Sequence, residues 1–155
     1  MAKMFKNDKA QNPRLLFQQF GEGLITDSYE VNDPAVKIEE GTVVTLLPTM
    51  KVRPAVAGEI PFGVVYKSNI PNDPYNGQYE NFVTVGEYSQ NHSRGVASGA
   101  LTVGLELAQN GVDANGEPLY KAAAAAEWVS AIALTDAADT DEVFVALKVA
   151  PYLKA

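Results

Sequence analysis

Apolar residues in this chain come in short bursts separated by turn-forming residues, a spacing that predicts strands. Residues 41–46 (GTVVTL) are rich in β-branched side chains and lead through a Pro48-Thr49 turn to residues 51–55 (KVRPA). Residues 61–66 (PFGVVY) and 82–85 (FVTV) follow. A second pass has the same order and similar spacing: residues 99–103 (GALTV), 119–123 (LYKAA), 128–134 (WVSAIAL) and 143–148 (VFVALK). The pattern predicts a mainly β chain, a small β-barrel or β-sandwich built from a duplicated short-strand unit, with repeats at about 41–86 and 99–149. Residues 1–28 are predicted to form an extended N-terminal arm and residues 29–155 the β-rich domain.

Three segments fall outside the strand pattern. Residues 68–77 (SNIPNDPYNG) are too long and too rich in proline for a tight hairpin, which predicts an exposed loop inserted in the first repeat. Residues 87–95 (EYSQNHSRG) are polar and are expected to connect the repeats. Residues 121–127 (KAAAAAE) have the highest helix propensity of the chain. Their place in the repeat matches Arg53-Pro54-Ala55-Val56-Ala57, where proline opposes an uninterrupted helix, so an extended or irregular segment is expected.

In the arm, Leu15, Leu16, Phe17 and Phe20 form an apolar cluster between Pro13 and the glycines Gly21 and Gly23. Proline suits a first helical turn and glycine an exit, so a short amphipathic helix is one reading. The cluster could pack on its own subunit or dock on a partner.

Composition narrows the function. At 155 residues the chain is long enough for one domain with a real core. No apolar run has the length of a membrane-crossing helix, and the first residues lack the apolar stretch of a secretory signal. A chain made in a cytoplasm, with no membrane partner, is expected. Without cysteine there are no disulfides and no thiolate metal sites. The formal charge is −7, yet Lys3, Lys6, Lys9 and Arg14 against Asp8 make residues 1–20 net positive and leave −10 for the remainder. A body this acidic repels phosphate backbones, so no nucleic-acid partner is expected.

Candidate chemistry is sparse. The single histidine, His92, lies near Ser89, Ser93 and Arg94, but no nucleophile-elbow motif accompanies it. Asp113, Asn115, Asp136, Asp139, Asp141 and Glu142 gather the hard oxygens that calcium takes, without the spacing of the twelve-residue calcium loop. Asn110-Gly111 and Asn115-Gly116 read better as turn dipeptides. No phosphate-cradling glycine loop is present. Tyr66, Tyr75, Tyr79, Phe82 and Tyr88 lie close in sequence and would suit a sugar-stacking surface, although such residues are more often core, interface or loop anchors. No catalytic, cofactor or metal site is expected.

The tandem texture over residues 35–150, with its ending AIALTDAAD at 131–139 and VFVAL at 143–147, resembles the small capsid cement, or decoration, proteins of tailed bacteriophages. The resemblance implies a β-rich structural protein, not an enzyme. Such a protein sits on the outer surface of an assembled head, its partner the major capsid protein, as a homo-oligomer and favourably a trimer. Under this resemblance Phe5, Arg14, Leu15, Leu16, Phe17 and Phe20 are the expected capsid-facing anchor, because aromatics and arginine dominate interface energetics. Phe62 and Trp128 stand at similar places in the two repeats and are expected to line the core or a subunit interface. Two alternatives are a virion fibre-associated receptor- or glycan-binding module using residues 70–79, and a small hydrolase or lyase using His92.

Overall fold

The computed structural model describes residues 26–70, 81–86 and 92–155, leaving aside the side chain of Val149. They are all β, in two sheets. The first holds β1 (Thr26–Glu30), β2 (Val43–Leu46), β3 (Val52–Pro54), β4 (Gly63–Lys67) and β5 (Phe82–Gly86), in the order β1-β5-β4-β2-β3. The second holds β6 (His92–Ala97), β7 (Glu106–Val112), β8 (Pro118–Ala122), β9 (Trp128–Ala133) and β10 (Glu142–Leu153), closed into a barrel in the order β10-β6-β8-β7-β9. Adding five to each strand number of the first sheet gives the neighbour relations of the second.

The match extends to single hydrogen bonds. Gly41 N–H donates to Val65 O at 2.8 Å, and Gly104 N–H to Ala133 O at 2.9 Å. Asn32 N–H donates to Val52 O at 2.8 Å, and Ser98 N–H to Tyr120 O at 2.7 Å. Ala55 N–H donates to Val43 O and Ala123 N–H to Glu106 O, both at 2.9 Å. These equivalences place Gly104, not Gly99, opposite Gly41. Residues 99–103 therefore make no strand beyond an isolated bridge from Leu101 to Ala137, because glycines with positive φ at 99 and 104 interrupt the extended run.

Residues 92–95 are likewise not a connection but part of β6, hydrogen-bonded to β10. Their polarity misleads because Ser93 and Arg94 are buried, Arg94 against Glu142 at 3.3 Å. β1 spans the expected boundary between residues 28 and 29, so the first unit includes a strand on its N-terminal side. After β8 the chain passes through a tight turn, with Ala126 at φ 62°, and into β9.

Equivalent positions fill the two interiors. Val31, Ile38, Val44, Val52, Val65, Val83 and Val85 cluster in the first unit. Their matches Ala97, Leu101, Leu107, Tyr120, Ala133, Val143 and Val145 belong to the cluster of the second. Tyr120 replaces a valine and two valines become alanine, which holds the interior volume nearly constant. The Tyr120 ring lies so close to Gly95 that a Cβ there would collide with it and with the Pro118 carbonyl.

The units differ at their closing seam. In the second, β6 and β8 pair in parallel, Val96 with Leu119 and Ala97 with Tyr120. In the first, one parallel bridge joins Val31 to Val52. Where Val96 and Leu119 pair their backbones, the first unit carries an ion pair, Lys51 Nζ to Glu30 Oε1 at 2.8 Å.

Between units, the Gln109 carboxamide is wedged into the β2–β3 ladder. Its Oε1 accepts from Val43 N–H at 2.6 Å, and its Nε2 donates to Val43 O at 2.7 Å and Ala55 O at 3.3 Å. Backbone bonds from Gly111 N–H to Ala55 O at 2.8 Å, Trp128 N–H to Ala57 O at 2.8 Å and Glu39 N–H to Gly116 O at 3.0 Å flank it. Gly116, with φ 86° and the Lys37 backbone 2.7 Å from where its Cβ would be, is a position only glycine fills without strain. Val43, Ala55, Val64 and Tyr66 pack into the second unit's cluster, so the core runs through the contact.

Gln109→Ala leaves Val43 N–H buried without an acceptor and is expected to lower the unfolding free energy by about 2–4 kcal/mol in urea denaturation. A change under about 0.5 kcal/mol would show that the wedge adds nothing to stability.

Candidate interaction surface

A repeated clamp shapes the loop before each unit's fourth strand. Glu59 pairs with Arg53 and accepts from Val56 N–H at 3.2 Å. Glu127 pairs with Lys121 at 2.5 Å and accepts from Ala124 N–H at 2.8 Å. In each unit a cation six residues before a glutamate closes a loop on the backbone amide three residues before that glutamate. The hydrogen bond from Lys121 holds the Glu127 carboxyl below its ordinary range, helped by the Ala124 amide and opposed by burial.

The clamps also fix the register of the aromatic candidates. With Glu59 opposite Glu127, Trp128 stands where the first unit has Ile60, and Phe62 stands where the second has Ser130. The similar placement of Phe62 and Trp128 expected from sequence is thus off by two residues. Phe62 is exposed and meets Tyr29 edge-on, with ring centroids 5.2 Å apart. Trp128 is half-buried, paired with Leu153 across β9 and β10. Neither belongs to a buried cluster among the described residues.

Further apolar side chains are exposed. Met50 and Ile60 are on the first unit, and Val103 and Leu134 on the second. Near the C-terminus Leu153 is exposed, as is Tyr152, whose ring lies 5.6 Å from the Lys148 ammonium. A cleft of about 240 Å³ runs between Val31, Val36 and Val52 of the first unit and Gly111 and Val112 of the second.

The polar candidates do not converge. His92 is exposed at the start of β6, whereas the neighbouring Ser93 is buried. Asp113 Oδ1 accepts the amides of Asn115 and Glu117 at 2.8 and 2.9 Å. Asp136 Oδ1 accepts Val103 N–H and Asp139 Oδ1 accepts Gly99 N–H, each at 2.8 Å. These carboxylates hold turns together, and among the described residues no three His, Cys, Asp or Glu gather as metal ligands. Of the aromatic series, Tyr66 is buried and Phe82 exposed. Phe5, Arg14, Leu15, Leu16, Phe17, Phe20, Tyr75, Tyr79, Tyr88 and Ser89 lie outside the described residues.

Neither a protein-family model nor a curated protein matches the chain. Among solved structures it is similar to the head fiber gp8.5 N base of bacteriophage phi29. The two are 13% identical with a TM-score of 0.49, over 83% of this chain and 98% of that one.

Because the Glu127 carboxyl is stabilised in its charged form, its contribution is present above the unfolded-state value and is lost as pH falls through the lowered folded value. Glu127→Gln is expected to reduce stability at pH 7 by under about 1 kcal/mol, with the difference from the parent shrinking in acid. Urea midpoints measured at pH 7 and pH 3 check this, and a difference that grows on acidification contradicts it.

Proposed function

We propose that this protein is a structural component of a phage virion that binds the outer surface of the assembled head and stabilises contacts between major capsid subunits. It acts as a homo-oligomer, with a trimer favoured, and its role involves no reaction. The observation that carries this reading is where the side chains are spent. Acidic groups hold turns, the buried Gln109 amide joins the two units, and large apolar side chains are left on the outside at Met50, Ile60, Phe62, Val103 and Leu134. A surface of that kind suits protein contacts. The tandem strand texture of the cement proteins over residues 35–150 supplies the class of partner.

In this reading the basic residues 1–20 lie against the head and the acidic body faces solvent. Each copy contributes a modest contact, and many symmetric copies make the sum strong.

Co-sedimentation with expanded, undecorated heads tests the proposal. The full chain is expected to bind saturably at a fixed ratio to the major capsid subunit, and the chain lacking residues 1–20 to remain folded but bind at least about 10-fold more weakly. Equal binding by the shortened chain would move the contact to the body. No binding by the full chain would overturn the proposal and direct attention to glycan binding by residues 70–79.

A further inference from the structure

The contact between the two units is heterologous, joining different faces of one repeating design. The first unit offers the outward face of β2 and β4, including Val43, Val64 and Tyr66, which join the second unit's cluster. The second unit receives it with Gln109, the Trp128 amide and the Gly116 turn. Each face has an equivalent on the other unit that this contact leaves uncovered.

The second unit's counterpart of the offered face contains Ile132 and Leu134, matching Val64 and Tyr66, with Val103 matching Glu40. Val64 and Tyr66 are 0% and 5% exposed, whereas Leu134 is 38% and Val103 61% exposed. The first unit's counterpart of the receiving face has Leu46 for Gln109, Ile60 for Trp128 and Met50 for Gly116. Met50 is 65% and Ile60 68% exposed, and Phe62 beside them 38%. Among the described residues, five of the nine exposed large apolar side chains therefore lie at the two faces that the internal contact uses once and leaves over once.

We propose that a second copy of this chain seats its Met50–Ile60–Phe62 face on the Val103–Ile132–Leu134 face, repeating between chains the relation the units have within one. The inference rests on the self-association proposed above and names its surfaces. A heterologous contact repeated in this way closes into a ring when its rotation permits.

The side-chain amide of the internal contact is not repeated: Leu46 stands for Gln109, and Glu106, 3.5 Å from Lys154, stands for Val43. The second unit's Ala123 carbonyl, equivalent to the Ala55 carbonyl that Gln109 reaches, already accepts from Lys154 Nζ at 3.0 Å. An incoming glutamine would have less to bond there, and the incoming copy presents Leu46.

Sedimentation equilibrium of the full chain, without any capsid, tests the assignment. The parent is expected to associate, and Ile60→Asp and Leu134→Asp each to weaken association at least about 100-fold while circular dichroism stays unchanged. Met50→Asp and Val103→Asp repeat the test should either variant misfold. Mixing Ile60→Asp with Leu134→Asp is the decisive arm. One intact pair of faces remains between unlike copies, so the mixture is expected to form two-chain species and nothing larger. A parent that stays a single chain overturns both the self-association and these faces. An oligomeric parent indifferent to the substitutions overturns the faces alone, as does a mixture that fails to pair. Capsid binding is measured separately and can fail independently.

Discussion

One primary amide joins the two units. In an ordinary antiparallel ladder, Val43 N–H would find the Ala55 carbonyl of the neighbouring strand. Here the Gln109 carboxamide stands between them, accepting from the first group and donating to the second. It acts as a spare peptide group supplied by the other unit. A buried amide with its hydrogen bonds made is specific as well as stabilising, because a displaced unit would leave it and the ladder unsatisfied together. The apolar contacts of Val64 and Tyr66 tolerate small shifts, whereas the amide admits few.

The units have diverged around a common frame. Backbone bonds and the cation–glutamate clamps are kept, while the interiors trade volume, with Tyr120 for valine and alanines opposite. The closing seams trade mechanism, a backbone ladder in one and the Lys51–Glu30 pair with a single bridge in the other. An exposed ion pair is worth little compared with ladder hydrogen bonds. The first unit's seam is thus held more loosely than the second's, and it borders the cleft between units.

Much of this was legible in the sequence, and what was not has physical reasons. The β class and tandem texture followed from short apolar bursts between turn residues. The Asn115-Gly116 turn followed from its dipeptide. β6 was hidden because burial of Ser93 and Arg94 depends on partners distant in sequence, Glu142 among them, which local polarity cannot reveal. The register of the second unit was hidden because Gly99 and Gly104 both resemble Gly41, and only hydrogen bonding distinguishes them. R-x5-E at residues 53–59 and K-x5-E at 121–127 align the later strands of the two units, but Gly41 and Gly104 stand five residues out of that alignment, so the motif does not reveal their match. The role of Gln109 was hidden, since nothing local marks a side chain whose partners lie 66 and 54 residues away.

A duplicated unit that offers one face and receives with another has no natural end, so every chain built this way must cap its outer faces or share them. The C-terminal strand begins a cap: Lys154 bonds Ala123 O and Glu127 O and lies 3.5 Å from Glu106. That cap covers the polar edge of the second unit and leaves its apolar part in water. On the first unit, Met50 and Ile60 occupy turn and loop positions that place no packing demand on a large apolar side chain. Capping repeats ordinarily carry polar outer faces. The second unit's face carries a polar cap over its backbone and apolar side chains elsewhere, a division suited to a contact that is made after folding.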